Sequence, residues 1–184
     1  TIEEIEEMSG EVNGLIAKYD ESLADDGEKL RLRLSQISGA LELLKGRIVS
    51  MGTSAGKTIL IRLAAYLDVM EKGKDDVQPY VMVTDDYLGA EGANEAGRHL
   101  SKLGKLIGLV LNEGNTGMLY DPEAIDQETG KKGMLVTERV NPATGKSEEI
   151  TPEMVWNEAD IVYGTKASFF FTLERETVRS YKGK

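Results

Sequence analysis

The 184-residue sequence predicts an α/β fold, a doubly wound parallel sheet, and three observations carry that reading. Short apolar runs alternate with longer stretches whose apolar residues recur at helical spacing, in the order strand, helix, strand, helix. One junction in that series, Arg47 to Arg62, reads RIVSMGTSAGKTILIR: an apolar run, a cluster of small residues, Lys57 and Thr58, then an apolar helical pattern. Sheets of this kind bind ligands at the carboxyl ends of their strands, and this junction is such an end.

The elements follow in order. Residues 1–24 hold Ile2, Ile5, Met8, Val12, Leu15 and Ile16 at helical spacing, with Gly10 and Gly14 as weak points, and read as one or two helices. Asp25 or Asp26 caps the next helix, about 28–45, whose core face is Leu30, Leu34, Ile37, Leu41 and Leu44, and Gly46 ends it as a C′ glycine. A buried strand (Ile48, Val49, Met51) then enters the small-residue loop. The helix from about residue 56 to 71 turns Leu60, Leu63, Ala64, Leu67 and Met70 to the core. A turn over 72–76 leads to a second buried strand, PYVMVT (79–84), and a helix over about 90–103 stops at Gly104. LIGLVL (106–111) is a third strand.

From 112 to 151 Gly, Asn, Pro, Thr and Lys dominate and helical periodicity disappears. This reads as a polar excursion with a β-hairpin, its best strand at 133–140 and a turn at 141–146. The stretches 128–131 and 143–146 share a T-G-K turn. With so little apolar area, the excursion is expected to be removable at small cost to stability. Thr151-Pro152-Glu153 starts a helix, DIVYG (160–164) is a fourth strand, and a final helix covers about 167–178. The organisation is thus 1–45 as helices leading in, and 46–184 as a nucleotide-binding domain carrying the 112–151 insertion.

Composition narrows the function. The chain is 40% hydrophobic and 29% charged, enough for one sizeable core, and no stretch is long and apolar enough for a membrane span. Its acidic first residues are not a secretory signal, and the missing initiator Met suggests an excerpt of a longer protein. With no cysteine there is neither a disulfide framework nor a thiolate metal site. A single histidine, His99, disfavours a histidine metal cluster or a Ser-His-Asp triad. The net charge of −10 argues against grip on nucleic acid. Together these features suggest a soluble intracellular domain.

The loop carries the chemistry. A strand that turns sharply into a helix start presents unpaired N–H groups and the positive end of the helix dipole to an anion. There Lys57 reaches terminal phosphates and the Thr58 hydroxyl ligates Mg²⁺. Met51 stands where the strict G-x-x-x-x-G-K-[ST] pattern has its first glycine, which leaves the relaxed form T-x-x-G-K-T. The bland alternative is a surface turn, and the flanking strand and helix argue against it.

Three words of the sequence, IVSMGTSAGKTILIRLAAYL, VMVTDDYL and ADIVYGTKASFFFTLER, resemble successive motifs of SecA, the preprotein translocase motor ATPase, in the amino-terminal part of its first nucleotide-binding domain. The resemblance covers most of residues 36–176 outside the excursion, and it implies a P-loop NTPase-like, RecA/helicase-like sheet. It implies ATP and Mg²⁺ as ligands, with Gln36 reading the adenine and Thr53, Ser54, Ala55, Gly56, Lys57 and Thr58 binding phosphate. Ser54 stands for a family glycine and Ala55 for a family acid, so the loop is stiffer than its relatives'. Asp86 matches the DYL aspartate and Arg175 the LRD arginine, both in supporting roles, while Thr172 and Glu176 depart from the motif. The catalytic residues are not assigned. The family's D-E-x-D pair, beyond the YGT word, does not occur before Lys184, which suggests a piece incomplete for hydrolysis.

By the same resemblance the intact protein drives a polypeptide through a membrane channel, cytoplasmic or peripheral at the membrane, with a homodimer open to it and no nucleic acid partner. Three other readings stand beside it. PYVMVTDD fits a Walker B strand of a self-contained small NTPase or kinase with Asp85 or Asp86 as the Mg²⁺ acid, although the DYL word explains it more economically. A degenerate interaction module would use the 112–151 hairpin as its contact surface. A nucleic-acid helicase half shares the fold, and the acidic charge lowers it.

Overall fold

The computed structural model describes residues 2–25, 28–29, 31–72, 78–111, 116–127, 129–141 and 143–171, with the side chains of 2–9, 25, 28–29 and 72 outside the description. It divides into two units, Thr1–Pro79 with Lys102–Gly104, and Tyr80–Ser101 with Lys105–Lys184.

In the first unit, helix α1 (Ile2–Ser22) runs unbroken through Gly10 and Gly14. Val12, Leu15 and Ile16 are half-buried and Tyr19 and Leu23 fully so, while the predicted Ile2, Ile5 and Met8 positions lie outside the described side chains. The Tyr19 ring stacks on Tyr66 at 5.9 Å, and its hydroxyl donates to the carbonyl of Ile59 at 3.3 Å. Two short strands, β1 (Ala24–Asp25) and β2 (Glu28–Lys29), pair antiparallel where the sequence suggested the start of a helix.

Helix α2 therefore begins later, at Leu34–Leu44, with extended Arg33 rather than Asp25 as its N-cap residue; Asp26 and Leu30 lie outside the described residues. The delay has a cause in Asp20, whose carboxylate accepts the Leu32 N–H at 2.7 Å and the Arg31 guanidinium at 2.7 Å. Those bonds hold the chain extended beside α1. The buried face of α2 also differs from the expected one: Leu34 is 84% exposed, and the fully buried residues are Gln36, Gly39 and Ala40.

The reason is close approach to helix α3 (Lys57–Lys72), since a Cβ at Gly39 would stand 2.3 Å from Leu60 Cδ1. Gly46 ends α2 as expected, at φ +73, with its N–H on Leu43 O and that of Arg47 on Glu42 O. Helix α3 buries Leu60, Leu63, Ala64 and Leu67, whereas Met70 is exposed. Residues 47–50 do not form the predicted buried strand. Ile48 is 99% exposed, and among the described residues no strand pairs with this segment.

The second unit holds the sheet. Strand β3 (Tyr80–Val83) leads to helix α4 (Asp86–Leu100), then β4 (Ile107–Val110), β5 (Gly117–Ile125), β6 (Lys132–Val136), the hairpin β7 (Glu138–Val140) and β8 (Ser147–Glu149), helix α5 (Pro152–Glu158) and β9 (Ile161–Thr165). Strand order is β3-β9-β4-β5-β6, with β3, β9 and β4 parallel and β5 and β6 antiparallel. The doubly wound α/β reading holds, as a three-stranded parallel centre with an antiparallel extension.

All four β4 residues are buried, as predicted, but β3 is an edge strand among the described residues and fully buries only Val81. Helix α4 starts four residues before its expected position because Asp85 caps it. Small residues bring α4 onto the sheet: a Cβ at Gly92 would meet the Tyr163 ring at 3.0 Å, and one at Gly97 would stand 2.1 Å from Tyr120 Cγ. At the far end of the unit Tyr80, Trp156 and Phe169 pack ring against ring at 4.8 to 5.5 Å.

The 112–151 segment is not the dispensable excursion its composition suggested. Beta-strands 5 and 6 complete the main sheet, and Leu119, Tyr120, Leu135 and Ile150 are all buried. In β5 the buried residues are confined to the first four positions and the rest of the strand is half-buried or exposed, so an average over composition hides them. The two T-G-K turns do share one chemistry. Asp126 O accepts the Gly130 N–H and Asp126 Oδ1 that of Thr129, and Asn141 O and Oδ1 do the same for Gly145 and Thr144. Thr151 caps α5 by accepting the Met154 N–H at 3.3 Å, and Pro152 follows at N1 as expected.

Candidate functional site

Between Met51 and Lys57 the chain makes a tight loop that ends on the first residue of α3. The Ala55 N–H donates to Gly52 O at 3.3 Å, Ser54 has φ +61 and Gly56 φ +78, and the Leu60 N–H donates to Gly56 O at 3.2 Å, opening the helix. Ser54 thus adopts the left-handed conformation that a glycine would take more cheaply. Thr53, Ser54, Lys57 and Thr58 are exposed, and the first turn of α3 contains no acidic residue. The N–H groups of a helix's first turn lack intrahelical acceptors and sit at its positive end. Lys57 and Thr58 are the first two residues of this helix.

This donor set fits a polyphosphate. Toward Mg²⁺ the loop offers only hydroxyls, those of exposed Thr53, Ser54 and Thr58, and among the described residues no group of three or more carboxylates and histidines is arranged to hold a metal. A magnesium ion here would take its other oxygens from phosphate and water.

Gln36 is 3% exposed and sits against the same loop. Its Oε1 accepts the Arg33 N–H at 2.9 Å, and its Nε2 donates to Ala55 O at 3.3 Å and Gly56 O at 3.4 Å. A Cβ at Gly56 would fall 2.1 Å from Nε2, so only glycine lets the amide lie there. The structure therefore brings Gln36, Ala55 and Gly56 together, by hydrogen bonds that sequence spacing does not reveal. The Arg62 guanidinium is buried behind the loop, its Nε donating to Thr58 O at 3.2 Å.

In the other unit the DYL and YGT words mark two strand ends. Asp85, not Asp86, caps α4: its Oδ1 accepts the Leu88 N–H at 2.8 Å and its Oδ2 the Thr84 hydroxyl at 3.2 Å. Asp86 is the first residue of that helix, and its Oδ1 is buried with no hydrogen-bond partner. In the YGT word, Tyr163 lies under Gly92, and the space at Gly164 is taken by Ser168 Oγ and Val110 O. Thr165 Oγ1 accepts the Ser168 N–H at 3.2 Å, which caps helical residues 166–171.

An open crevice of about 940 Å³ runs along these two strand ends, lined by Thr84, Asp85, Asp86, Lys166, Phe170 and Phe171 among others. Asp160, which the sequence offered only as the edge of a strand, ties β4 to β9. Its Oδ2 accepts the Leu106 N–H at 2.7 Å, and Lys105 Nζ is 3.9 Å from its Oδ1. Arg175, Thr172 and Glu176 lie outside the described residues.

A family model, the SecA DEAD-like domain, matches residues 28–183. The chain belongs to that family. Among curated relatives it is 29% identical over 149 residues to the protein translocase subunit SecA of Chloroflexus aurantiacus, covering 81% of this chain and 14% of the relative. The SecA subunit of Thermodesulfovibrio yellowstonii is 30% identical over 144 residues, 78% of this chain and 14% of that protein. That of Ehrlichia chaffeensis reaches 39% over 80 residues, 44% of this chain and 9% of its own length. The chain thus spans about a seventh of the first two relatives. The SecA DEAD-like match includes the loop, Gln36, and the DYL and YGT strand ends.

Proposed function

We propose that this chain is the ATP-binding part of a protein-translocation motor, with ATP and Mg²⁺ held at Thr53, Ser54, Ala55, Gly56, Lys57 and Thr58. The observation that carries the reading is the loop itself. In a chain of the SecA DEAD-like family, two successive departures to positive φ turn the backbone into the start of a 16-residue helix with exposed Lys57 and Thr58 at its first two positions. The helix N-terminus and the ammonium act together on the β- and γ-phosphates, and the Thr58 hydroxyl supplies a ligand to magnesium. Bound magnesium neutralises phosphate charge. Asp86 and Arg175 are assigned supporting roles by their motif positions alone.

The relatives named above are translocase subunits, and the same use is proposed for the protein of which this sequence forms part. ATP binding would drive domain movement that pushes a polypeptide through a membrane channel, from the cytoplasmic side. No described helix is long and apolar enough to cross a membrane.

Calorimetric titration with ATP·Mg²⁺ tests the assignment. The chain is expected to bind with a stoichiometry of one, and Lys57→Ala to weaken binding at least about tenfold while circular dichroism and melting temperature stay unchanged, since Lys57 is exposed. Equal affinity in the variant would remove the phosphate-loop assignment.

A further inference from the structure

We propose that helix α1 is coupled to the phosphate loop through Tyr19, so that docking of α1 on α3 and binding of phosphate each favour the other. The inference rests on the phosphate-loop reading and adds a positioning residue to it. Helix α1 ends before the residues that the family model matches, 28–183. Among its described side chains only Tyr19 and Ser22 are fully buried, so its hold on the unit is greatest near its end. There the Tyr19 ring stacks on Tyr66 of α3 at 5.9 Å, and the carboxylate of neighbouring Asp20 accepts the Leu32 N–H and the Arg31 guanidinium.

The Tyr19 hydroxyl reaches the first turn of α3. It donates to Ile59 O at 3.3 Å, and the next N–H, that of Leu60, donates to Gly56 O at 3.2 Å. Ile59 C=O and Leu60 N–H belong to one planar trans peptide, in which the two groups point in opposite directions. A hydroxyl that fixes one end of that unit therefore fixes the direction of the other, and with it the carbonyl of Gly56, the last residue before α3. Serial hydrogen bonds through a peptide group also polarise one another, so each strengthens the next. Phosphate acts on the same turn: it engages the N–H groups at the start of α3 and stabilises the helical turn that presents Ile59 O to Tyr19. Two contacts that order one element favour each other by the same factor in both directions.

The test combines titration of ATP·Mg²⁺ and tripolyphosphate·Mg²⁺ into the wild type and Tyr19→Phe with amide hydrogen exchange of α1, with and without saturating tripolyphosphate·Mg²⁺. Phenylalanine keeps the ring on Tyr66 and removes only the hydroxyl. It is expected to weaken both ligands about fivefold, the worth of one net hydrogen bond, while circular dichroism stays unchanged. In the wild type the ligand is expected to slow exchange in α1 by a similar factor, and in Tyr19→Phe to leave it unchanged. A purely structural tyrosine would lower stability without making α1 respond to phosphate.

The wild-type exchange measurement needs no variant and decides alone should Tyr19→Phe fail to fold. Unchanged affinity in Tyr19→Phe, or α1 exchange indifferent to bound tripolyphosphate, would overturn the coupling and leave the phosphate loop standing. A wild type that binds neither ligand would overturn the phosphate-loop reading and the coupling with it.

Discussion

Ser54 and Gly56 share a backbone conformation but not its cost. A non-glycine residue in the left-handed region costs about 1–2 kcal/mol, while glycine's extra freedom in the unfolded chain costs about 0.5–1 kcal/mol. Ser54→Gly is accordingly expected to leave urea stability unchanged or raise it by about 0.5 kcal/mol, and a fall of 1 kcal/mol or more would show that the serine side chain has a structural role. Gly56→Ala is expected to lose well over about 1 kcal/mol, because the strain is compounded by a Cβ 2.1 Å from Gln36 Nε2. Unfolding midpoints that coincide with wild type would mean the loop does not hold this conformation. The proposal of a phosphate loop came from Lys57, Thr58 and the helix after them, which the structure shows as α3. The burial of Gln36 against the loop was not legible, since a polar residue on a helix gives no sign of what lies opposite.

Helix α4 shows how element packing decides against intrinsic preference. Alanine at position 97 would gain about 1 kcal/mol in helix propensity, but its Cβ would fall on the Tyr120 ring, and overpacking costs about 1–3 kcal/mol. Gly97→Ala should therefore lower the unfolding midpoint, and a raised one would mean that α4 does not rest on β5.

The β7–β8 hairpin is fastened by charge. Arg139 donates to Glu148 at 2.8 Å and to both carboxylate oxygens of Glu158 on α5, which together raise the guanidinium's pKa and keep it charged. The Asn141 amide, and then Arg139, hold Glu148 below its ordinary value of 4.5. A carboxylate with a depressed folded pKa contributes stability that is complete above its unfolded value and is lost as pH falls through the folded one. Amide exchange in the hairpin is thus expected to accelerate below about pH 4.5, and Glu148→Gln to remove that dependence. A variant with the same acid profile as wild type would assign the dependence elsewhere. The helices α2 to α5 and the strands β3, β4 and β9 were legible in the sequence, as were Gly46, Gly104 and Thr151 as stops and starts, whereas β1, β2 and β5 were not and the strand expected at 48–51 did not form. Boundaries were not legible where a distant side chain such as Asp20 fixes them.

At the scale of the whole molecule, the 112–151 segment separates composition from architecture. Its polar average concealed Leu119, Tyr120 and Leu135, which are buried in strands of the main sheet. Deletion of residues 117–136 is expected to abolish the cooperative unfolding transition of the second unit, and Leu119→Ala to cost about 2–5 kcal/mol. A cooperative transition retained by the deletion would make the segment peripheral after all. The apolar run before α3 is the converse case: Ile48 and Val49 read as a buried strand, yet among the described residues the run pairs with no strand and Ile48 is exposed.

The central claim, that the loop before α3 is where nucleotide binds, is tested most directly by amide chemical shifts during titration with ATP·Mg²⁺. The account predicts the largest changes at Thr53, Ala55, Gly56, Lys57 and Thr58. Changes confined to the crevice at Thr84, Asp86 and Lys166, or none at all, would contradict it.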